Sequence, residues 1–188
     1  MANILQSIDY KNIFTYFEEI SNVPRGSYHN EKISDYLVSF AQKHGLEHYQ
    51  DKLGNVIIIK EATPGYENAP AVILQGHMDM VCEKESGVEH DFQTEGLKLR
   101  VVTGEVPEDA YIEAEGTTLG GDDGIAMAYA LAILAGDDYK PPLFPSEPPS
   151  SPTNARLKFQ RKVCQEVCTR LCGITCIVHT IAWRSMIF

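Results

Sequence analysis

The chain has 188 residues, of which 44% are hydrophobic and 22% charged, so it contains enough apolar material for one buried core. Its formal net charge of −10 argues against nucleic acid as a partner, because phosphate binding needs a basic face. No stretch reaches the roughly 18–20 apolar residues that span a bilayer, and the first residues lack the pattern of a signal peptide. These features predict a cytoplasmic protein with no membrane partner.

The composition changes sharply near residue 140. Residues 1–140 carry 24 Asp or Glu and 10 Lys or Arg, whereas residues 141–188 carry 2 and 6. Six of the ten prolines lie between Pro141 and Pro152, and four of the five cysteines follow residue 163. We therefore predict one domain at 1–140, followed at 141–188 by a Pro-rich linker and a Cys-rich tail that is disordered or not a native domain.

Two helices are predicted in the first quarter of the chain. Apolar residues recur at helical spacing within 5–20, and Pro24 breaks the pattern. A second helix is predicted through residue 41, with Asn30 as a plausible N-cap and Gly45 where a C-cap glycine belongs.

Strands are predicted next, followed by a third helix. Residues 55–60 (NVIIIK) and 71–75 (AVILQ) read as strands buried on both faces, and 112–114 is a weaker strand candidate. Residues 124–135 are rich in Ala and Leu and are ended by Gly136, which predicts a helix. Helices before and after buried strands predict an α/β fold, with a sheet covered by helices on both faces.

The first candidate site motif is GHMDM at 76–80, directly after the second predicted strand. His77 and Asp79 are two residues apart, so in an extended backbone they point to the same side. A histidine beside a carboxylate at the carboxyl end of a strand suits a metal site, where the carboxylate can orient the imidazole. The alternative is a histidine in a surface loop.

The second candidate is GTTLGGDDGIAMA at 116–128, where two glycines precede Asp122 and Asp123 at the start of a helix. An acidic N-cap would explain one of these carboxylates. A carboxylate that bridges two divalent cations would explain the pair better.

Together these motifs resemble the aminoacyl-histidine dipeptidases, or cytosol non-specific dipeptidases, which are dizinc peptidases of the aminoacylase-like family. The resemblance covers about residues 5–140. It is carried by LQGHMDMVCEK at 74–84, HDF at 90–92 and GTTLGGDDGIAMAYALAIL at 116–134, with support from 55–70 and from VPRGSYHNEKISDYLVSFA at 23–41.

The resemblance implies a role for three residues. His77 corresponds to a ligand of one zinc ion, Asp79 to the catalytic aspartate that holds His77, and Asp122 to the carboxylate that bridges two metals; Asp123 matches no such role. We expect the three to converge at the carboxyl end of the sheet, with ligating atoms of His77 and Asp122 within about 5 Å of each other.

The resemblance also implies a partial catalytic domain of a dizinc exopeptidase, in which a zinc-activated water hydrolyses dipeptides of broad specificity, Xaa-His included. The implied cofactor is two Zn²⁺ ions per complete site, with Co²⁺ or Mn²⁺ as possible substitutes. The implied partner is a dipeptide substrate, and a homodimer is possible for the full-length family.

Several parts of the family pattern are missing. The family continues from this helix into a buried strand that ends in a Glu-Glu pair, which supplies a general base and a metal ligand, and no such pair follows here. We therefore expect the isolated chain to be inactive and its sheet to have an unpaired apolar edge. The sequence beyond 140 is then the product of a frame change, or else an extension. The alternatives are a catalytically dead metal-binding or interaction remnant, or a related tripeptidase or amino-acid deacylase.

The remaining pattern is the four-residue spacing of Cys164, Cys168, Cys172 and Cys176. On a helix this spacing would form one stripe, which cannot easily surround a single tetrahedral ion. Accidental spacing in a non-native sequence is the competing interpretation. Cys82 is predicted to be a small buried side chain.

Overall fold

The computed structural model describes residues 12–65, 67, 71–103 and 110–136, together with the backbone of 173–179. These residues form an α/β fold, as predicted. The elements in chain order are α1 (Ile13–Ser21), α2 (Glu31–Lys43), β1 (Glu47–Gln50), β2 (Val56–Glu61), β3 (Val72–His77), β4 (Leu99–Val102), β5 (Tyr111–Ala114), α3 (Gly121–Ala135) and β6 (Gly173–His179).

The first two helices lie where the sequence predicts them, although residues 1–11 fall outside the described part of the chain. Gly45, just beyond the end of α2, has a φ of +64°, which suits the glycine expected there. The side chain of Asn30 makes no capping bond to α2. Its amide instead donates to the carbonyl of Leu53 at 3.3 Å, so the residue ties the helix start to the β1–β2 turn.

The main sheet has the order β1-β2-β6-β3. The pairs β1–β2 and β2–β6 are antiparallel, whereas β6 runs parallel to β3. Residues 173–179 thus lie between β2 and β3, and β3 ends the sheet with no further strand beside it among the described residues. A second sheet contains β4 and β5, and β1 and β4 were not foreseen from the sequence.

The exposure of β3 corrects one prediction. Val72 and Ile73 are 36% and 37% exposed, so this strand is not buried on both faces as its apolar sequence suggested. Its position at the end of the sheet accounts for the difference, since a terminal strand lacks the neighbour that would cover it. In β2, which has a neighbour on each side, Val56 and Ile58 are fully buried.

The core joins the helices to the main sheet. Helix α1 packs against α3, α2 packs against β1 and β2, and α3 packs against β3 and β6. Each fully buried large side chain contributes about 1.5–3 kcal/mol. The largest are Ile20, Ile33, Leu37, Ile58, Met78, Met127, Leu131 and Leu134. This packing fixes the start of α3 beside the carboxyl end of β3.

The sequence after α3 is described only at β6. The predicted linker and the cysteines at 164, 168 and 172 lie outside the described residues, so the division near residue 140 stays a prediction. Cys176 lies in a strand, so a helical stripe of cysteines does not extend to it. Among the described residues, no helix has both the length and the apolar character needed to cross a membrane.

Candidate metal centre

His77 is the last residue of β3, and its ring has a defined orientation. Its Nδ1 lies 2.8 Å from the backbone carbonyl of Asp79. Because a carbonyl oxygen can only accept, Nδ1 must carry the proton of this hydrogen bond. The lone pair of Nε2 is then available to a metal ion, as in metal sites where a backbone carbonyl fixes the histidine tautomer.

On the opposite side of the imidazole ring from Nδ1, Nε2 faces the side chain of Asp122 at the start of α3. The distance from His77 Nε2 to Asp122 Oδ1 is 3.1 Å, within the expected limit of about 5 Å. The Asp122 side chain is 96% exposed and that of His77 23% exposed, so the pair opens to solvent.

The loop before α3 separates the two adjacent aspartates. Gly120 has a φ of +63°, and Asp122 and Asp123, which are joined by a cis peptide bond, have non-helical φ/ψ values. The Asp123 carboxylate points back toward β3, where a Cβ on Gly76 would lie 2.7 Å from its Oδ2. The glycine therefore makes room for Asp123, while Asp122 alone of the pair reaches His77.

Asp79 is buried beneath the ring of His77, with 4% of the residue exposed. Its Oδ2 accepts a hydrogen bond from the Ser27 hydroxyl at 2.7 Å. Its Oδ1 lies 3.5 Å from His77 Nδ1 and has no hydrogen-bond partner among the described residues. The carboxylate is thus placed to influence the imidazole electrostatically while Ser27 holds its other oxygen.

Arg25 connects the two segments that carry the site. Its guanidinium, 2% exposed as a residue, donates to the carbonyl of Gly120 at 2.7 Å and, more weakly, to that of Met78 at 3.4 Å. Burial lowers the pKa of Arg25 to about 10, and the nearby Cys82 and Asp79 oppose that change. The side chain therefore remains charged at neutral pH.

His77 Nε2 and Asp122 Oδ1 are suited to bind a cation between them. If Nδ1 carries the only proton of the imidazole, then Nε2 and Asp122 Oδ1 present two lone pairs to each other, which is unfavourable without a proton or a metal ion between them. An imidazole nitrogen and a carboxylate oxygen are both donors that zinc binds, so His77 and Asp122 would be the residues that hold such an ion. The two donors thus fit part of a zinc site.

The rest of such a site is not found near them. In the part of the chain that the structure describes, no cluster of three or more His, Cys, Asp or Glu side chains is arranged to hold a metal ion. Further ligands would have to come from elsewhere. The structure brings His77, Asp79 and Asp122 together as expected, and their individual roles stay predictions.

Other motif residues have structural roles that the sequence did not reveal. Arg25 and Ser27 lie in VPRGSY, a segment that supported the resemblance but was assigned no function. In HDF, the buried ring of His90 packs on Phe92 with centroids 4.5 Å apart, and Asp91 accepts hydrogen bonds in the following turn. Cys82 is only half-buried, although it packs against the core.

Comparisons with known proteins agree with the fold and the motifs. No family model matches the chain. A cytosol non-specific dipeptidase from Escherichia coli K12 is 38% identical over 134 residues, which are 71% of this chain and 26% of that protein. The crystal structure of aminoacylhistidine dipeptidase from Vibrio alginolyticus has a TM-score of 0.68 at 29% identity, covering 95% of this chain and 30% of the other.

Two further solved structures share the fold alone. A tripeptidase from Staphylococcus aureus and the aminopeptidase PepT from Bacillus cereus have TM-scores of 0.52 and 0.53, at 17% and 20% identity. Each match covers 89% of this chain and 35% of the other. The resemblance inferred from the motifs is confirmed, and the chain spans between 26% and 35% of the length of these proteins.

Proposed function

We propose that this chain, a partial member by sequence and fold of the peptidase family that includes the cytosol non-specific dipeptidases, carries part of a divalent-metal site for dipeptide hydrolysis. The observation that supports this best is the approach of His77 Nε2 to Asp122 Oδ1 at 3.1 Å, with Nδ1 committed to the carbonyl of Asp79. An imidazole nitrogen whose lone pair faces an exposed carboxylate is an arrangement that a cation would stabilise.

Each of the three residues has a distinct proposed task. His77 and Asp122 would hold zinc, Asp122 by bridging two ions in a complete site, and cobalt or manganese could replace zinc. Zinc supplies the Lewis acidity that makes a water molecule nucleophilic near neutral pH. Asp79 would orient the imidazole from below and stabilise its protonated Nδ1. The proposed location is the cytosol, and a dipeptide, with Xaa-His included, is the proposed substrate.

The isolated chain should bind metal weakly and hydrolyse dipeptides little, if at all. Loss of a general base typically costs about 10²–10⁴-fold in rate, and no residue in the described part of the site takes that role. The alternative is a metal-binding or interaction remnant without catalysis. It is favoured by the finding that the described residues contain no cluster of three or more metal-binding side chains.

Metal binding can be tested with cobalt as the probe. Titration of the purified chain with Co²⁺, followed by calorimetry and visible absorption, should show binding that His77→Ala and Asp122→Asn each weaken. The loss should exceed the about 10–100-fold that removal of an outer-shell partner costs. His48→Ala is the matched control, because His48 lies in β1 and interacts with the carbonyl of Leu46. Equal affinity in all four chains would refute the site.

Activity separates the catalytic proposal from the alternative. The metal-loaded chain should be assayed on dipeptides, tripeptides and N-acyl amino acids. Slow hydrolysis of dipeptides that disappears in His77→Ala would support residual catalysis, whereas binding without any turnover would support the remnant. Turnover at an ordinary enzyme rate of about 1–10³ s⁻¹ would contradict the expected inactivity and require a general base that has not been identified.

A further inference from the structure

We infer that Ser27 is a positioning residue for the metal site, acting through Asp79 rather than on a metal or substrate. This inference rests on the proposed function. The Ser27 hydroxyl donates to Asp79 Oδ2 at 2.7 Å, and its weaker approach to the carbonyl of Met80 is 3.3 Å. A hydroxyl has one proton to give, and the short contact with a carboxylate is the stronger of the two.

The hydrogen bond matters because Asp79 has few other restraints. The carboxylate is buried, and its Oδ1 has no hydrogen-bond partner among the described residues. Without the Ser27 hydroxyl, the carboxylate could rotate away from His77 Nδ1, and its electrostatic support for the proton on that nitrogen would weaken. The proton could then move to Nε2, which would no longer have a lone pair to offer a metal ion.

The backbone holds the hydroxyl in place. The amide of Ser27 donates to the carbonyl of Met80 at 3.2 Å, and the amide of Met80 donates to the carbonyl of Arg25 at 2.9 Å. Gly26 and Met80 form an isolated parallel β-bridge. Residues on both sides of the Ser27–Asp79 contact are therefore fixed to each other independently of the side chains, so the hydroxyl is already oriented before any ligand binds.

The test compares four chains that differ at a serine. Ser27→Ala removes the donor. Ser27→Thr restores it, and the additional methyl group has space because Ser27 lines a cleft of about 470 Å³. Ser39→Ala is the control, since the Ser39 hydroxyl donates to the carbonyl of Asp35 on the exposed face of α2. The readouts are Co²⁺ affinity, the protonated nitrogen of His77 by ¹⁵N NMR without metal, and thermal unfolding.

We expect Ser27→Ala to weaken Co²⁺ binding about 10–100-fold and to reduce the population of His77 protonated at Nδ1. Ser27→Thr should recover both properties, and Ser39→Ala should change neither. Unaltered affinity and an unaltered tautomer in Ser27→Ala would overturn the inference. A second result would also overturn it. If Ser27→Ala lost Co²⁺ affinity with the His77 tautomer unchanged, and Ser27→Thr did not restore the affinity, Ser27 would act only through packing.

The two proposals fail in different ways. If the wild-type chain binds no Co²⁺, the proposed function fails, and the metal-free His77 tautomer alone decides the role of Ser27. If Ser27→Ala does not fold, Ser27→Cys keeps the side-chain volume with a much weaker donor. Ser27→Cys should also have a smaller population of His77 protonated at Nδ1. A population equal to that of the wild type would refute the positioning role of Ser27.

Discussion

Replacing Arg25 by methionine tests how the two segments of the site are joined. The guanidinium lies where Cβ atoms on Gly120 and Gly124 would approach its Nη2 to 2.5 and 2.8 Å, so it occupies a slot that only glycines leave open. Methionine has a comparable length and no charge. The variant therefore removes the hydrogen bonds to Gly120 and Met78 while retaining much of the packing.

Two opposing effects set the magnitude. The pKa of Arg25, lowered by burial from 12.5 to about 10, corresponds to a cost of about 3 kcal/mol for the charged form, which methionine would remove. Against this, a hydrogen bond from a charged group contributes about 1.5–3 kcal/mol. Arg25 donates two such bonds, to the carbonyls of Gly120 and Met78, so their loss costs about 3–6 kcal/mol. The losses exceed the gain, and we expect net destabilisation of up to about 3 kcal/mol.

Urea unfolding at neutral pH measures this difference directly. Arg25→Met should lower the midpoint without changing the slope, and Arg25→Lys should lie between it and the wild type because one charged donor remains. Arg100→Met is the control, since Arg100 forms an exposed ion pair with Glu113 and should hardly alter stability. Wild-type or higher stability of Arg25→Met would refute the reasoning and show that burying the guanidinium costs more than its contacts return.

Three other predictions concern parts of the chain away from the metal site. Gly96→Ala should destabilise by about 1–3 kcal/mol in urea unfolding, because its Cβ would meet backbone atoms of Asn22 at 2.5–2.7 Å; unchanged stability would contradict that packing. Burial raises the pKa of Asp51, but hydrogen bonds from Asn55 and the following turn outweigh it and lower the pKa overall. The stability that Asp51 provides is present above its unfolded pKa and is lost as pH falls through the folded pKa, so the deficit of Asp51→Ala, measured by thermal unfolding, should shrink below about pH 4. A chain ending at Gly136 should self-associate in size-exclusion chromatography because β2 and β3 lose the strand between them; a stable monomer would instead favour a domain that ends near 140.

The sequence indicated the site better than it indicated the sheet. His77 and Asp122 could be predicted to meet because the end of a strand and the start of a helix often border the same crevice in α/β folds. The different directions of Asp122 and Asp123 could not be predicted, since they depend on the backbone of the loop and on the space that Gly76 leaves. The roles of Arg25 and Ser27 depend on contacts with residues more than 50 positions away.

The errors in the sheet have a physical origin of the same kind. The apolar run 71–75 shows that a strand is favourable there, but its burial depends on which strands lie beside it. The short strands β1 and β4, with the sequences EHYQ and LRVV, contain no clear alternation of apolar and polar residues. Strand β6 was not predicted from the composition either, because pairing between strands involves backbone groups, for which side-chain composition is a weak guide.

The position of β6 also sets the order in which this sheet can form. Val72 pairs with Ile174, about a hundred residues later in the chain, and such distant pairing slows folding. At a synthesis rate of about 5–20 residues per second, β3 would wait roughly 5–20 s for its partner strand to be made. During that interval β2 would be paired only with β1, and β3 would have no partner strand among the described residues. A nascent chain of this protein should therefore depend on chaperones for longer than one whose strands pair in sequence order.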